Sequence, residues 1–232
     1  MDRNVQRSVD IPVGGSILQG DMAIPAKPKG VVLFAHGSGS SRHSSRNQYV
    51  AQQLRSAGLA TLLMDLLTVR EEAEDAMTGH LRFDIAFLAE RLVWATDWLV
   101  MQSSTAGLPI GCFGASTGAA AALVAAGERP RLLAAIVSRG GRPDLAAEAL
   151  HRVEAPTLLI VGGNDAPVIA MNRQALGRLR AESKLVIVHG ATHLFEEPGA
   201  LEEVARLATE WFTHYLDQRR RQVLKTASGH RT

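Results

Sequence analysis

The feature that most constrains this chain is a series of short apolar runs, each of strand length, separated by stretches with helical periodicity. Val31-Val32-Leu33-Phe34-Ala35, Ala60–Met64, Ile110–Phe113, Ala134–Val137, Thr157–Val161 and Leu185–Val188 are nearly free of polar residues. Strands of this kind are covered on both faces, as in parallel sheets. Helices fit Ser45–Ala57, Phe83–Met101, Thr117–Ala126, Val168–Leu179 and Leu201–Leu216; the second carries Ile85, Leu88, Leu92, Ala95 and Leu99 on one face. The alternation predicts an α/β fold, a mostly parallel twisted sheet with helices on both faces. Ahead of it, Val5–Val13 and Ser16–Ile24 flank Gly14-Gly15 and read as a β-hairpin. Two stretches, Leu66–Arg82 and Arg139–Pro156, fit no element. Each follows a strand, so each is expected at the carboxyl edge of the sheet, where ligands bind in open α/β folds.

A length of 232 residues suits one domain, expected over 1–217, followed by a basic, frayed tail over 218–232. Hydrophobic residues at 46% and charged residues at 21% supply a core and argue against disorder. The tail holds Arg219, Arg220, Arg221, Lys225 and Arg231 and no acid, so removing its five charges from the net +2 leaves −3 for the body. The basic balance is therefore local to a solvated end, and neither nucleic acid nor membrane is expected as a partner. The charge-free run Trp98–Gly127 is broken by Pro109 and several glycines, and Met1–Asp10 lacks the apolar centre of a signal peptide. The expected location is a reducing cytoplasm, as monomer or homodimer. The one cysteine, Cys112, excludes an intramolecular disulfide and a cysteine-rich zinc site; it lies within a strand and reads as a small buried hydrophobe.

Gly114-Ala115-Ser116-Thr117-Gly118 matches G-x-S-x-G directly between a strand and a helix, the context in which a serine nucleophile is exposed on a sharp turn. A serine hydroxyl needs a base, and the base needs an orienting acid. Asp165 closes Gly162-Gly163-Asn164-Asp165 after one strand; His193 closes His189-Gly190-Ala191-Thr192-His193 after the next. Ser116, Asp165 and His193 therefore occur in the order Ser, acid, His, each just past a separate strand. His189 and Asp144 are the competitors for base and acid. Two backbone N–H groups should converge on the oxyanion: that of Thr117, and that of Ser38 in the loop His36-Gly37-Ser38-Gly39-Ser40-Ser41. This loop lacks both the P-loop ending and G-x-G-x-x-G spacing, which argues against a nucleotide. His36 and His43 are not at usable metal spacing with Asp or Glu, and H-E-x-x-H is absent, so no metal is expected.

The segments strand–HGSGSS, strand–GASTG–helix, strand–GGND and strand–GATH resemble the α/β-hydrolase superfamily, specifically its dienelactone-hydrolase-like branch. The resemblance spans about Val31 to Tyr215. It implies a triad of Ser116, Asp165 and His193 and no cofactor. The namesake enzymes use a cysteine nucleophile where this chain has serine, which favours carboxylesterase-like activity on an ester or lactone. Some members of the branch also carry a phosphoribosyltransferase domain, for which 232 residues leave no room. Thioesterase, peptidase or acyltransferase chemistry would use the same machinery, and a catalytically silent binding protein is the alternative of a different class. The gap from Val137 to Thr157 is too short for a large lid, so small soluble substrates are expected. Arg139 and Arg142, just past a strand at the catalytic edge, are candidates for binding a substrate carboxylate, unless they pair with acids such as Asp144 or Glu148.

Overall fold

The computed structural model describes residues 5–228. Its eight strands are β1 (Val5–Val13), β2 (Ser16–Ile24), β3 (Val31–Ala35), β4 (Ala60–Met64), β5 (Ile110–Ala115), β6 (Ala135–Arg139), β7 (Thr157–Gly162) and β8 (Ser183–Val188). They form one sheet in the order β1-β2-β4-β3-β5-β6-β7-β8. The β1–β2 and β2–β4 pairs are antiparallel and the others parallel. The chain leaves β3 toward β4 on one side, and β5 then pairs on the other. The loops after β3 and β5 therefore border the point where strand order reverses, the usual ligand crevice of such sheets.

The helices are α1 (Ser45–Ser56), α2 (Val69–Thr78), α3 (Ile85–Met101), α4 (Thr117–Glu128), α5 (Ala166–Leu176) and α6 (Ala200–Ser228). Alternate strand residues sort the core into two layers. Leu33, Leu62, Cys112, Ile136 and Leu159 face α3 and the alanines of α4. Phe34, Phe113, Val137 and Ile160 face Val50 and Leu54 of α1 and Val204, Phe212 and Leu216 of α6.

Three segments depart from the sequence expectations. First, residues 218–228, expected as a frayed tail, continue α6 to Ser228. Among the residues whose burial is described, Leu216 is the last buried one of α6, and the periodic signal stops there. Gln218–Gln222 are mostly good helix formers and continue the helix. Residues 229–232, with Arg231, lie outside the described residues. Second, Arg139–Pro156 contains two one-turn 3-10 helices, Pro143–Ala146 and Leu150–Arg152. β6 itself reaches Arg139, because Ser138 and Arg139 remain in register with Gly114 and Ala115 of β5.

Third, Leu66–Arg82 contains α2, whose only buried residue is Asp75, so it carries no apolar stripe. Its start is nevertheless written in Thr68-Val69-Arg70-Glu71, a capping box. Thr68 Oγ1 accepts the Glu71 N–H at 3.2 Å, and the Glu71 carboxylate accepts the Thr68 N–H at 2.7 Å. Glu71 also accepts from Arg91 Nη2 of α3 at 2.6 Å, which docks α2 on the body. Asp84 then caps α3, two residues into the stretch read as helical from Phe83. Thr68→Ala is expected to lower stability by about 1 kcal/mol, read as a lower urea midpoint at unchanged slope. An unchanged midpoint would mean that the box does not hold α2.

Candidate active site

Ser116 stands alone between β5, which ends at Ala115, and α4, which begins at Thr117. Its backbone is at φ 50 and ψ −119, a strained conformation for a residue with a Cβ. The surroundings enforce it. Ser116 N–H donates to the Arg139 carbonyl at 3.2 Å, and the Ser116 carbonyl accepts from Arg142 N–H at 3.2 Å and Ala119 N–H at 3.1 Å. The motif glycines allow the close approach. A Cβ on Gly114 would lie 2.4 Å from Ala119 Cα, and one on Gly118 would lie 2.3 Å from the Ala35 carbonyl oxygen.

Asp165 follows β7 and His193 follows β8. His193 Nδ1 lies 2.7 Å from Asp165 Oδ2, with the imidazole 40% exposed and the carboxylate 14%. This bond takes Nδ1–H as donor and leaves Nε2 as the acceptor of the neutral ring. Asp144, the competing acid, is held by Arg142 instead. The loop that carries His193 is pinned by three hydrogen bonds, two from Asn164 and one to Glu197. Asn164 N–H donates to the Ala191 carbonyl at 2.9 Å, Asn164 Nδ2 donates to the Gly190 carbonyl at 2.8 Å, and Glu197 Oε2 accepts the Thr192 N–H at 3.0 Å. Hydrogen bonding from Thr192 holds the Glu197 carboxyl below its ordinary range. Phe195, buried two residues past His193, sits at φ 56. Ser116 Oγ makes no hydrogen bond to His193. The two share one edge through β6: Arg139 takes the Ser116 N–H, and a Cβ on the next residue, Gly140, would be 3.4 Å from the imidazole.

The two backbone N–H groups expected at the oxyanion differ in their surroundings. Thr117 N–H lies in the first turn of α4, where no intrahelical acceptor exists. Ser38 N–H, however, is not free: it donates to Thr117 Oγ1 at 2.9 Å. The bond joins residues 79 apart in sequence, so nothing local announced it.

His36, at the root of the same loop, is a positioning residue the motif reading did not identify. Its Nδ1–H donates to the Gly37 carbonyl at 2.9 Å, and its Nε2 accepts the Leu66 N–H at 3.0 Å. Both bonds are made only by the neutral Nδ1–H tautomer. Burial holds the His36 pKa below its ordinary value of 6.5, against the opposing pull of the Gly37 bond and of Asp65. Below pH 6.5 the unfolded chain takes up a proton that the folded chain refuses. His36's contribution to stability is thus complete above pH 6.5 and is lost progressively as pH falls from 6.5 toward the lower folded value. A urea midpoint that falls between pH 7 and pH 5 in the wild type, and falls less in His36→Gln, is the expected result. Parallel profiles would rule His36 out as the cause.

A cavity of about 410 Å³ opens beside Thr117, floored by Leu66, Leu67 and Leu88 and bordered by Ser38 and Glu72. Asp75 also faces it but is fully engaged. Burial pushes its pKa up, and bonds from Arg82 and from the Leu81 and Arg82 N–H groups outweigh that and hold it low. Glu72 is the exposed carboxylate on that rim. α2 and the 3-10 turn Leu81–Phe83 cover this side lightly.

The two candidate arginines separate. Arg142 makes two hydrogen bonds to the Asp144 carboxylate, at 2.9 and 2.8 Å, which raise its pKa and lower that of Asp144. It is spent on Asp144 and is set aside as a substrate ligand. Arg139 is 8% exposed and has no acidic partner; its Nε and Nη1 have no hydrogen-bond acceptor. Its guanidinium lies 5.9 Å from the Phe195 ring centroid. Burial first, and the neighbouring Arg46 second, push its pKa down to about 10. Arg46, on α1, escaped the sequence reading because nothing local links it to the site. Cys112, fully buried in β5, has its thiol pushed up to about 12 by burial and cannot serve as the nucleophile.

Among the described residues no cluster of His, Cys, Asp or Glu is placed to hold a metal ion, and no helix is long and apolar enough to cross a membrane. The profile of the dienelactone hydrolase family matches residues 18–218. The crystal structure of a dienelactone hydrolase from Anabaena variabilis is 61% identical, covers 91% of this chain and 98% of its own, and superposes with a TM-score of 0.90. Est1E from Butyrivibrio proteoclasticus, at 15% identity, covers 90% of this chain and 98% of its own with a TM-score of 0.75, a likeness of fold alone. A Mycobacterium tuberculosis protein named "Putative phosphoribosyl transferase" is 55% identical over 208 residues, which are 90% of this chain and 46% of that protein. The chain thus spans about half the length of that curated relative.

Proposed function

The chain belongs to the dienelactone hydrolase family, and from that premise we propose that it is a serine hydrolase of carboxylic esters or lactones. The observation that carries the reading is the His193–Asp165 pair, joined at 2.7 Å, on the edge where Ser116 is held at φ 50. Ser116 Oγ attacks the carbonyl carbon as His193 Nε2 accepts its proton. Asp165 keeps the ring in the tautomer this requires and stabilises the imidazolium that forms. The oxyanion takes the Thr117 N–H at the positive end of α4. It takes the Ser38 N–H as well once Thr117 Oγ1 releases it. Collapse expels the alcohol, protonated by His193, and water then frees the acid from the acyl-enzyme.

Thioester, peptide and acyl-transfer chemistry would use the same groups, so the leaving group is decided by the cavity. Its apolar floor and modest size favour small soluble esters or lactones. A phosphoribosyl transfer reading finds less support. The Gly-Ser loop after β3 is packed on the nucleophile rather than open as a phosphate cradle: a Cβ added at Gly37 would stand 3.0 Å from Ser116 Cβ. The test is fluorophosphonate labelling followed by mass spectrometry, with a panel of p-nitrophenyl esters of rising chain length and a lactone. The expected adduct is on Ser116. Absence of both labelling and turnover would favour a silent binding protein.

A further inference from the structure

Ser116, Asp165 and His193 leave the sheet after three different strands, so the spacing of their loops has to be fixed by contacts between segments. The segment that follows β6 touches two of the three. The Arg139 carbonyl accepts the Ser116 N–H at 3.2 Å, and the Arg142 N–H donates to the Ser116 carbonyl at 3.2 Å. Between these contacts Gly140 stands against the base: a Cβ there would lie 3.4 Å from both Cε1 and Nδ1 of His193. Gly140 takes φ 52, and its N–H donates to the Ile160 carbonyl of β7 at 2.8 Å. Gly141 is buried and equally crowded, since a Cβ there would lie 2.8 Å from Ala119 Cβ of α4.

The acid reaches the same segment through α5. That helix starts directly after Asp165, whose carbonyl accepts the Ile169 N–H at 2.9 Å. The Asp165 side chain makes no capping bond to the helix, which leaves its carboxylate to His193. Two turns along α5, about 10 Å by helix rise, stands Asn172. It is 0% exposed. Both of its amide hydrogens are spent: Nδ2 donates to the Gly141 carbonyl at 3.0 Å and to the Val168 carbonyl at 2.8 Å. The second bond stays within α5, so the one that leaves the helix is the bond to Gly141, 31 residues earlier. Asn172 Oδ1, by contrast, is buried without a hydrogen-bond donor. A buried amide with an unsatisfied acceptor costs stability, where an apolar side chain of the same shape would not. What the amide supplies in return is its hold on Gly141.

We propose that Asn172 is a positioning residue for the triad: by holding the Gly141 carbonyl it locks the segment that braces Ser116 and backs His193 to the helix that begins at Asp165. The inference rests on the hydrolase reading for what the three groups do, not for the lock itself. Without Nδ2 the Gly141 carbonyl is left buried and unpaired, a cost the segment relieves by turning toward water. That movement takes Gly140 off the imidazole and loosens the Arg142 bond to Ser116. A misplacement of about 1 Å between reacting groups costs on the order of a hundredfold in rate. The 410 Å³ cavity takes none of its lining from β6 or α5, so substrate binding there is left intact.

The experiment sets Asn172→Leu, close in shape but without the donor, beside Leu179→Ala, which opens the buried core just past α5 and leaves the bond alone. With p-nitrophenyl butyrate, Asn172→Leu is expected to lower kcat about tenfold to a hundredfold with KM within about twofold of wild type. Fluorophosphonate labelling of Ser116 should slow by a similar factor. Leu179→Ala should lower the melting temperature and keep kcat. If Asn172→Leu does not fold, Asn172→Ala, which removes the donor and leaves space, is read in the same way. Wild-type kcat in a folded Asn172 variant overturns the proposal and leaves the hydrolase reading standing, and so does an equal loss of kcat in Leu179→Ala. A second readout needs no turnover: the imidazole signals of His193 in protein labelled with ¹⁵N-histidine, identified by their loss in His193→Gln. They should shift in Asn172→Leu and stay in place in Leu179→Ala. If the wild type neither turns over esters nor takes the label, the hydrolase reading fails. In that event a His193 shift specific to the Asn172 variant still supports the lock, and its absence overturns the lock as well.

Discussion

Ser116→Ala is expected to lower kcat for ester hydrolysis by about 10⁴ or more and to abolish the fluorophosphonate adduct. The reason is that nucleophile, base and acid act as a unit. Without Oγ there is nothing for His193 Nε2 to activate, and only the oxyanion donors and substrate binding remain. For the same reason Ser116→Ala combined with His193→Gln should be scarcely worse than either alone, which is the measurement that separates a working triad from three independent contributors. Asp165→Asn should leave the imidazole in place and favour the wrong tautomer, with Nδ1 no longer obliged to carry the proton. The fold should survive Ser116→Ala, because the side chain makes no hydrogen bond and alanine at φ 50 is strained no more than serine. Wild-type turnover in a well-folded Ser116→Ala protein would end the proposal.

Gly118→Ala is expected to cost about 3 kcal/mol or more, and in a marginal domain to prevent accumulation of folded protein. The added Cβ would stand 2.3 Å from the Ala35 carbonyl oxygen and 2.4 Å from that of His36. These are backbone atoms at the end of β3, which is hydrogen-bonded to β4 on one side and β5 on the other, so they cannot step aside as a side chain would. The alternative is for α4 to retreat, which would move Thr117 N–H and Ser116 together. Gly39→Ala is the control. Its Cβ meets nothing within 4 Å, and its cost is limited to the positive φ of 69, about 1 kcal/mol. Thermal or urea unfolding of the two variants should separate them clearly. Equal midpoints would mean that the contact between α4 and β3 yields easily.

Much of this protein was legible because the signals are local. Strand cores such as Val31–Ala35 and Thr157–Val161 are apolar on both faces, and a two-sided parallel sheet is the arrangement that buries them. Ser116, Asp165 and His193 each follow a strand, so alternation alone put them on one edge before any distance was known. Boundaries were read less well where burial does not mark them. α2 buries only Asp75, and α6 runs past Leu216, where the periodic apolar signal ends. The Thr68-x-x-Glu71 box was the readable sign of α2.

What only the tertiary structure decided is which polar groups are already spent. Ser38 N–H looked available for an oxyanion until the fold brought Thr117 Oγ1 against it. His36 looked like a loop histidine until Leu66, thirty residues on, occupied its Nε2. Arg139 and Arg142 looked alike as neighbours in Ser-Arg-Gly-Gly-Arg, yet one is paired with Asp144 and the other lies buried beside Phe195 and Arg46 with no acceptor. Hydrophobic periodicity is carried by each segment's own residues and survives in the sequence. A hydrogen bond or an ion pair belongs to two groups at once, and its second partner is chosen only when distant segments meet.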